Sequence, residues 1–207
     1  MSLGGALRND AREARRSAIL RAAVEVFAER GYEDARMREV AERAGVADGT
    51  TYLYFQGKEA LLVAILEENA KAFLKRARWD AGRQKDPGAK LRKVIERHLV
   101  SLESDRALAH VFQIELRHSR RFLRQVARGQ VAEYLRLLQR IIAEGTASGL
   151  FRDDIPADVA ARAVFGAVDE LITSWVLADR PRSLAGQAAP LLRLVFGGLE
   201  RRAGGSR

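Results

Sequence analysis

The chain has 207 residues, a formal net charge of +9 and no cysteine. This length allows one sizeable core, or a small domain with a larger one, and the lack of cysteine excludes disulfides and thiolate metal sites. The first sixteen residues are polar and charged, with no apolar run for export, and no stretch approaches a membrane span. We therefore expect a protein of the reducing cytoplasm that has no membrane partner.

The positive charge alone does not indicate nucleic-acid binding, because it is unevenly distributed. Residues 1–58 hold ten basic and nine acidic side chains, so most of the excess lies downstream. A basic N-terminal arm could still add phosphate contacts through Arg8, Arg12, Arg15 and Arg16.

Long stretches rich in Ala, Leu, Arg and Glu, with only four prolines, predict an all-α protein. Asp86 followed by Pro87 indicates an N-cap and the first turn of a helix. We expect nine helices, at about 11–30, 36–43, 47–54, 58–80, 87–104, 106–116, 119–147, 157–177 and 183–202.

The second and third of these helices form a candidate helix-turn-helix, a shape that places one helix in a DNA major groove. Apolar residues of the second helix share one face, and Gly45 lies where the chain must reverse and can adopt a positive φ at little cost. Such a turn also joins packed helices in many all-α proteins, so the turn alone does not establish DNA binding.

The side chains after the turn favour DNA. Small or capping residues at Ala47, Asp48 and Gly49 let the third helix approach another backbone. The predicted contacts are Thr50 and Thr51 to base edges or a thymine methyl, Tyr52 and Tyr54 to phosphates, and Lys58, with the next helix's N-terminus, to a phosphate. Phe55 is predicted to point into the core.

Over these residues the chain resembles the tetracycline-repressor (TetR) family of bacterial transcription factors. The matching segments are Ile19 to Tyr32, Val40-Ala41, Ala44-Gly45-Val46, Gly49-Thr50, Tyr52, Phe55 and Lys58 to Leu61. The resemblance implies the nine-helix fold of that family, with a three-helix DNA-binding domain at 1–57 and a ligand-binding and dimerisation domain at 58–207. Where the family often has hydroxyl residues opening the second helix, this chain has Ala35 and Arg36. We therefore expect Asp34 as the cap and Arg36 as a phosphate contact.

The last two helices are apolar over most of their circumference and need cover on more than one side. In the resembled family they pair with their copies in a second chain as a four-helix bundle. The resemblance therefore implies a homodimer, whose two-fold symmetry places two recognition helices about one DNA turn apart. The alternative is burial of both helices within a monomer.

Arginines recur between residues 117 and 128. Arg117, Arg121, Arg124 and Arg128 have a spacing that places them on one helical face. Like charges so placed destabilise an isolated helix, and arginine forks suit phosphate. On spacing alone, a solvated basic face is the better interpretation.

Residues 109–119 and 164–175 also resemble the fatty-acid-degradation repressors (FadR) of the TetR family, which release DNA on binding long-chain acyl-CoA. The implied tunnel for the acyl chain is lined by Phe112, Leu116, Leu135, Leu138, Phe165 and Trp175, with Arg117, Arg121 and Arg124 near the CoA phosphates. Gln113 and Asp169 either hold the ligand's amide or thioester region or satisfy buried backbone groups.

The resemblance thus implies a dimeric repressor of fatty-acid degradation genes that binds a palindromic operator. Long-chain acyl-CoA would release it by shifting the fourth helix and spreading the recognition helices apart. No metal or cofactor beyond this effector is expected.

Three alternatives remain at this stage. One is a TetR-type repressor sensing another apolar molecule, such as a drug or an aromatic acid. An acyl-CoA enzyme is disfavoured, because the chain has no cysteine nucleophile and His98, His110 and His118 form no recognisable triad or metal motif. The third is a helical lipid-binding protein without a DNA function.

Overall fold

The computed structural model describes residues 3–115 and 129–201, the first six of them by backbone alone. These ranges confirm the predicted all-α fold. Their nine α-helices are α1 (Leu3–Arg30), α2 (Met37–Ala44), α3 (Asp48–Tyr54), α4 (Lys58–Gly82), α5 (Pro87–Glu103), α6 (Arg106–Gln113), α7 (Gln130–Ala147), α8 (Ala157–Leu177) and α9 (Ala188–Leu199). A short 3-10 turn, Ala185–Gln187, precedes α9. No helix within these ranges has the length and apolar character needed to cross a bilayer.

Several helix ends follow directly from local sequence. Asp86 caps α5 by accepting the Ala89 N–H at 2.7 Å, and Pro87 occupies the first turn, as predicted. Asp105 caps α6 in the same way through the Leu108 N–H at 2.9 Å. Gly45 ends α2 with a φ of 67°, which confirms the tight turn between α2 and α3.

The predicted cap of α2 was wrong. The N-cap residue is Arg36, not Asp34, and its own N–H donates to the Glu39 carboxylate at 2.9 Å. Glu39 is the third residue of α2, so the helix itself supplies the acceptor for the backbone N–H at its start. An upstream side-chain cap is therefore not needed.

The prediction of one continuous seventh helix over 119–147 was also wrong. Gly129 precedes α7 with φ −92° and ψ −108°, which is not helical, so no continuous helix can run through it. The part of that prediction before Gly129 lies outside the described residues. The last helix is also shorter than predicted, because the chain makes the 3-10 turn first.

Two hydrophobic cores share α4 and α6. The first core packs α1–α3 against the start of α4, and α6 adds Leu108 and Val111 to it. The second core joins α5, α7, α8 and α9 to the rest of α4, and α6 adds Ala109. The proposed domain division at 57/58 therefore falls just before a helix that belongs to both cores. Any movement of α4 or α6 acts on both parts of the molecule.

Candidate DNA-binding and effector sites

The recognition helix α3 presents an exposed surface at the N-terminal end of the molecule. Tyr52 is 55% exposed and Leu53 is 79% exposed. Ala47, Asp48, Gly49 and the nearby Arg36 are also exposed, whereas Thr50 and Tyr54 are half-buried. This surface is available to a large partner, and Phe55 is buried in the first core, as predicted.

Thr51 does not belong to this surface. Its side chain is fully buried, and its hydroxyl donates to the Asp48 carbonyl at 2.8 Å. The predicted base contact of Thr51 was therefore wrong, because the helical period turns this residue inward. Leu53 was missed, although the same period, with Thr51 and Phe55 inward, places it outward.

Lys58 is half-buried, and its ammonium is bonded to the protein's own backbone. Its ammonium donates to the carbonyls of Tyr32 at 2.7 Å, Glu33 at 2.5 Å and Ala35 at 3.5 Å, and lies 4.8 Å from the centre of the Tyr32 ring. An ammonium has three N–H donors, and the two short bonds occupy two of them, whereas the contact with the Ala35 carbonyl is long for a hydrogen bond. Lys58 therefore anchors the loop between α1 and α2, and its phosphate contact stays a prediction.

A cavity of about 650 Å³ lies between α4, α5, α6, α7 and α8. Its wall is mainly apolar and includes Leu66, Phe73, Leu102, Leu108 and Val131. Four of the residues predicted for a ligand site line it together, namely Phe112, Gln113, Phe165 and Asp169. Ala72 and Arg76 of α4 are lining residues that are themselves exposed, so the cavity reaches solvent beside α4.

Trp175 was wrongly predicted to line this cavity. It is buried in the second core, with the Arg106 guanidinium 5.5 Å from its ring centre. Arg106 also donates to the carbonyls of Val176 and Ala178, at 3.1 Å and 2.7 Å. Trp175 thus packs beneath an arginine that holds the end of α8. Leu138, also proposed as lining, is fully buried in the same core.

Leu135, also predicted to line the tunnel, is half-buried on α7 and is not among the residues that line the cavity. Leu116, Arg117, Arg121 and Arg124 lie outside the described residues, as does the rest of the arginine row.

Gln113 and Asp169 join α6 to α8 at the cavity wall. The Gln113 amide donates to the Asp169 carboxylate at 3.1 Å, and the Thr173 hydroxyl donates to the Gln113 amide oxygen at 3.0 Å. Gln113 is buried, so these bonds satisfy a polar group that would otherwise be costly in an apolar wall. A ligand that reaches this wall meets a polar link between two helices.

A second polar pair in the wall was missed by the sequence analysis. His98 Nδ1 lies 3.3 Å from the Tyr134 hydroxyl, and both rings pack against Phe73. Burial lowers the pKa of His98 to about 4, against a smaller opposite effect of the Asp169 carboxylate. Burial also raises the pKa of Tyr134. Both groups are therefore neutral near pH 7 and can only hydrogen-bond.

The helices α1–α3 form a head that exposes the recognition helix. Two shared helices, α4 and α6, join this head to a body with an internal cavity. This arrangement defines a helix-turn-helix regulator. Residues 19–65 match the family model of the bacterial regulatory proteins of the tetR family, and residues 66–198 match that of the YsiA-like protein C-terminal region. The chain belongs to the TetR family of transcriptional regulators.

Individual relatives resemble the chain over nearly its whole length. The fatty acid metabolism regulator protein of Bacillus subtilis is 37% identical over 184 residues, which are 89% of this chain and 95% of that protein. The solved structure of the fatty acid degradation regulator FadR from Bacillus halodurans has a TM-score of 0.85 at 36% identity, covering 91% of this chain and 97% of that one. FadR from Bacillus subtilis in complex with stearoyl-CoA has a TM-score of 0.82 at 37% identity, covering 88% and 98%.

Proposed function

We propose that this chain is a repressor of fatty-acid degradation genes that binds a palindromic operator as a homodimer and is released by long-chain acyl-CoA. The observation that carries this proposal is the cavity between α4–α8, in a fold shared with a regulator solved in complex with stearoyl-CoA. Its volume is within the range of small-molecule sites, roughly 300–1,000 Å³. The named relatives are regulators, and catalysis is not part of the proposal.

The cavity chemistry suits an acyl thioester. Phe73, Phe112 and Phe165 offer apolar surface for an alkyl chain. The Gln113 amide and the neutral pair His98–Tyr134 offer a few oriented hydrogen bonds for a thioester or amide. We assign the CoA phosphates to Arg117, Arg121 and Arg124, because guanidinium groups bind phosphate in a bidentate manner.

The operator surface in this proposal is the exposed face of the head. We assign base and backbone contacts to Arg36, Ala47, Asp48, Gly49, Thr50, Tyr52, Leu53 and Tyr54. We take residues 1–57 as the DNA-binding domain, 58–207 as the effector-binding and dimerisation domain, and the cytoplasm as its place of action, because its target is DNA.

The dimer contact in this proposal is the outer face of α8 and α9. Val159, Leu177 and Leu194 are large apolar side chains exposed on these two helices. Their exposure is relieved if a second copy of the chain covers them. A two-fold dimer also gives the spacing of recognition helices that a palindrome requires.

Native mass spectrometry of the purified protein tests the effector directly. We expect a dimer that carries long-chain acyl-CoA from the expression host, or that binds added stearoyl-CoA at one molecule per protomer. A dimer that does neither would contradict the acyl-CoA assignment. Release from DNA by a different apolar molecule would then favour a TetR-type sensor of another ligand.

A further inference from the structure

Two opposite charges hold the loop between α1 and α2, residues 31–36, from two directions. The Tyr32 N–H donates to the Glu115 carboxylate at 2.7 Å. The Tyr32 carbonyl accepts from the Lys58 ammonium at 2.7 Å. The backbone of Tyr32 is thus fixed on both sides, by a residue at the start of α4 and by a residue just after α6.

Glu115 is an unusual residue to find at this position. It is only 8% exposed, and an ionised carboxylate is costly to bury unless it is hydrogen-bonded. Its Oε2 accepts a backbone N–H that is 83 residues away in sequence, and the carboxylate lies beside Gly31, whose φ of +79° is in the left-handed region that favours glycine. Its Oε1 lies 3.6 Å from His110 Nδ1, too far for a hydrogen bond. In the described part of the chain, the short contact of Glu115 is therefore with the head.

The helices that carry these two charges also form the cavity wall. Leu66 and Phe73 line the cavity from α4, and Phe112 and Gln113 line it from α6. Gln113 is only two residues before Glu115, and its amide is bonded to Asp169 and Thr173 of α8. The contacts of Phe112 and Gln113 with the cavity and with α8 therefore lie within three residues of Glu115 in the chain.

We propose that Glu115 is a positioning residue that transmits cavity occupancy to the recognition helix through its bond to Tyr32. This inference rests on the proposed function for the identity of the effector. In the state that binds the operator, the end of α6 lies where the Glu115 carboxylate meets Tyr32, and this fixes the loop that leads into α2 and α3. An occupied cavity moves that end, and the loop, still held by Lys58, follows α4 instead. The two states differ in one charge-assisted hydrogen bond, so the effector and the operator compete through it.

Three variants separate coupling from stability. Glu115→Ala removes the acceptor of the Tyr32 N–H, whereas Glu115→Gln keeps an amide oxygen at the same place. Glu103→Ala is the matched control, because Glu103 also holds a distant backbone segment, accepting the N–H groups of Leu184 at 2.7 Å and Ala185 at 3.2 Å. Leu184 of that segment belongs to the second core, and neither of these two bonds involves the loop 31–36.

The first measurement is the affinity for a DNA duplex selected by the wild-type protein from a random pool, with and without stearoyl-CoA. We expect stearoyl-CoA to weaken wild-type binding by about 5- to 150-fold, the usual range of allosteric coupling. Glu115→Ala should reduce this factor at least about fivefold while its affinity for stearoyl-CoA alone changes less than about twofold. Glu103→Ala should retain the wild-type factor, and Glu115→Gln, which keeps the acceptor but loses its charge, should give a factor between those of wild type and Glu115→Ala. A Glu115→Ala protein with the wild-type factor would overturn the inference and leave the proposed function standing.

The second measurement, hydrogen exchange of the loop 31–36 without any ligand, does not depend on the effector. We expect faster exchange in Glu115→Ala than in wild type or Glu103→Ala, and unchanged exchange would overturn the inference. If stearoyl-CoA fails to release the wild-type protein from DNA, the proposed function fails, and the exchange result alone then decides whether Glu115 holds the loop.

Discussion

At the scale of single residues, His98 shows how packing sets chemistry in the cavity. The side chain lies beside Tyr134 and Phe73, and burial lowers its pKa to about 4. A neutral imidazole is compatible with an apolar ligand, whereas burial disfavours the charged imidazolium more than the Asp169 carboxylate favours it. The wall of the cavity therefore depends on His98 remaining neutral.

This environment predicts a loss of stability in acid. The folded pKa of about 4 lies below the ordinary value of 6.5, so the unfolded chain binds a proton first as the pH falls. The contribution is present above pH 6.5 and is lost as the pH falls towards 4, by up to about 3 kcal/mol. We expect His98→Phe to have a flatter dependence of the free energy of unfolding on pH, measured by urea denaturation between pH 7 and 4.5. Parallel curves for the two proteins would contradict the assignment.

The sequence predicted four of the cavity residues, and it missed the polar pair His98 and Tyr134 for a clear reason. The four residues lie in two helical segments where polar and apolar residues are mixed, and this pattern can be read from the sequence. They are Phe112, Gln113, Phe165 and Asp169. His98 and Tyr134 come from α5 and α7 and meet only when those helices pack. Trp175 was misplaced because its size suggested a ligand wall, while its cover by Arg106, 69 residues earlier, cannot be read from the sequence.

At the scale of elements, α3 divides its side chains between the core and the outer surface. Thr51 is buried and bonded to Asp48, whereas Tyr52, the next residue, is exposed. Two neighbouring substitutions should therefore have opposite consequences.

Thr51→Val should cost about 1 kcal/mol of stability, because it removes one hydrogen bond at constant shape. It should leave operator affinity nearly unchanged. Tyr52→Ala should leave the melting temperature within about 2 °C of wild type and weaken operator binding about tenfold, since a hydrogen bond to a charged phosphate contributes about 1.5–3 kcal/mol. Thermal unfolding and fluorescence anisotropy with labelled operator measure the two effects. Loss of operator affinity in a stable Thr51→Val protein would contradict the burial of that residue.

Element boundaries were predictable where local signals agree. The predicted range 157–177 matches α8, Ala157–Leu177, because Pro156 precedes it and an Asp-Arg-Pro segment follows. The start of α7 was missed because strong helix formers on both sides of Gly129 outweighed one glycine. The cap of α2 was missed because Glu39 satisfies the helix start from within.

At the scale of the whole molecule, the proposed dimer rests on the exposed apolar face of α8 and α9. Leu194 is 74% exposed on α9. Leu194→Lys should raise the dimer dissociation constant at least about tenfold, since an unpaired buried charge costs more than roughly 1.4 kcal/mol. Val100→Lys is the matched control, because Val100 is also exposed, at 47%, but belongs to α5 and not to α8 or α9. Sedimentation analysis that finds both variants as dimers of wild-type stability would contradict the assigned interface.

The two cores and the helices they share explain why effector and operator should communicate. Both α4 and α6 pack in the core of the head and line the cavity. A position of these helices that favours operator binding can therefore be unfavourable for effector binding. The shared use of these helices was not visible in the sequence, where the boundary at 57/58 separates the parts.

The most direct test of this account is the affinity for stearoyl-CoA of the wild-type dimer, measured free and bound to its operator. Linkage requires operator DNA to weaken stearoyl-CoA binding by the same factor by which stearoyl-CoA weakens operator binding. The account predicts equal factors, both well above one. The same stearoyl-CoA affinity with and without operator would contradict it.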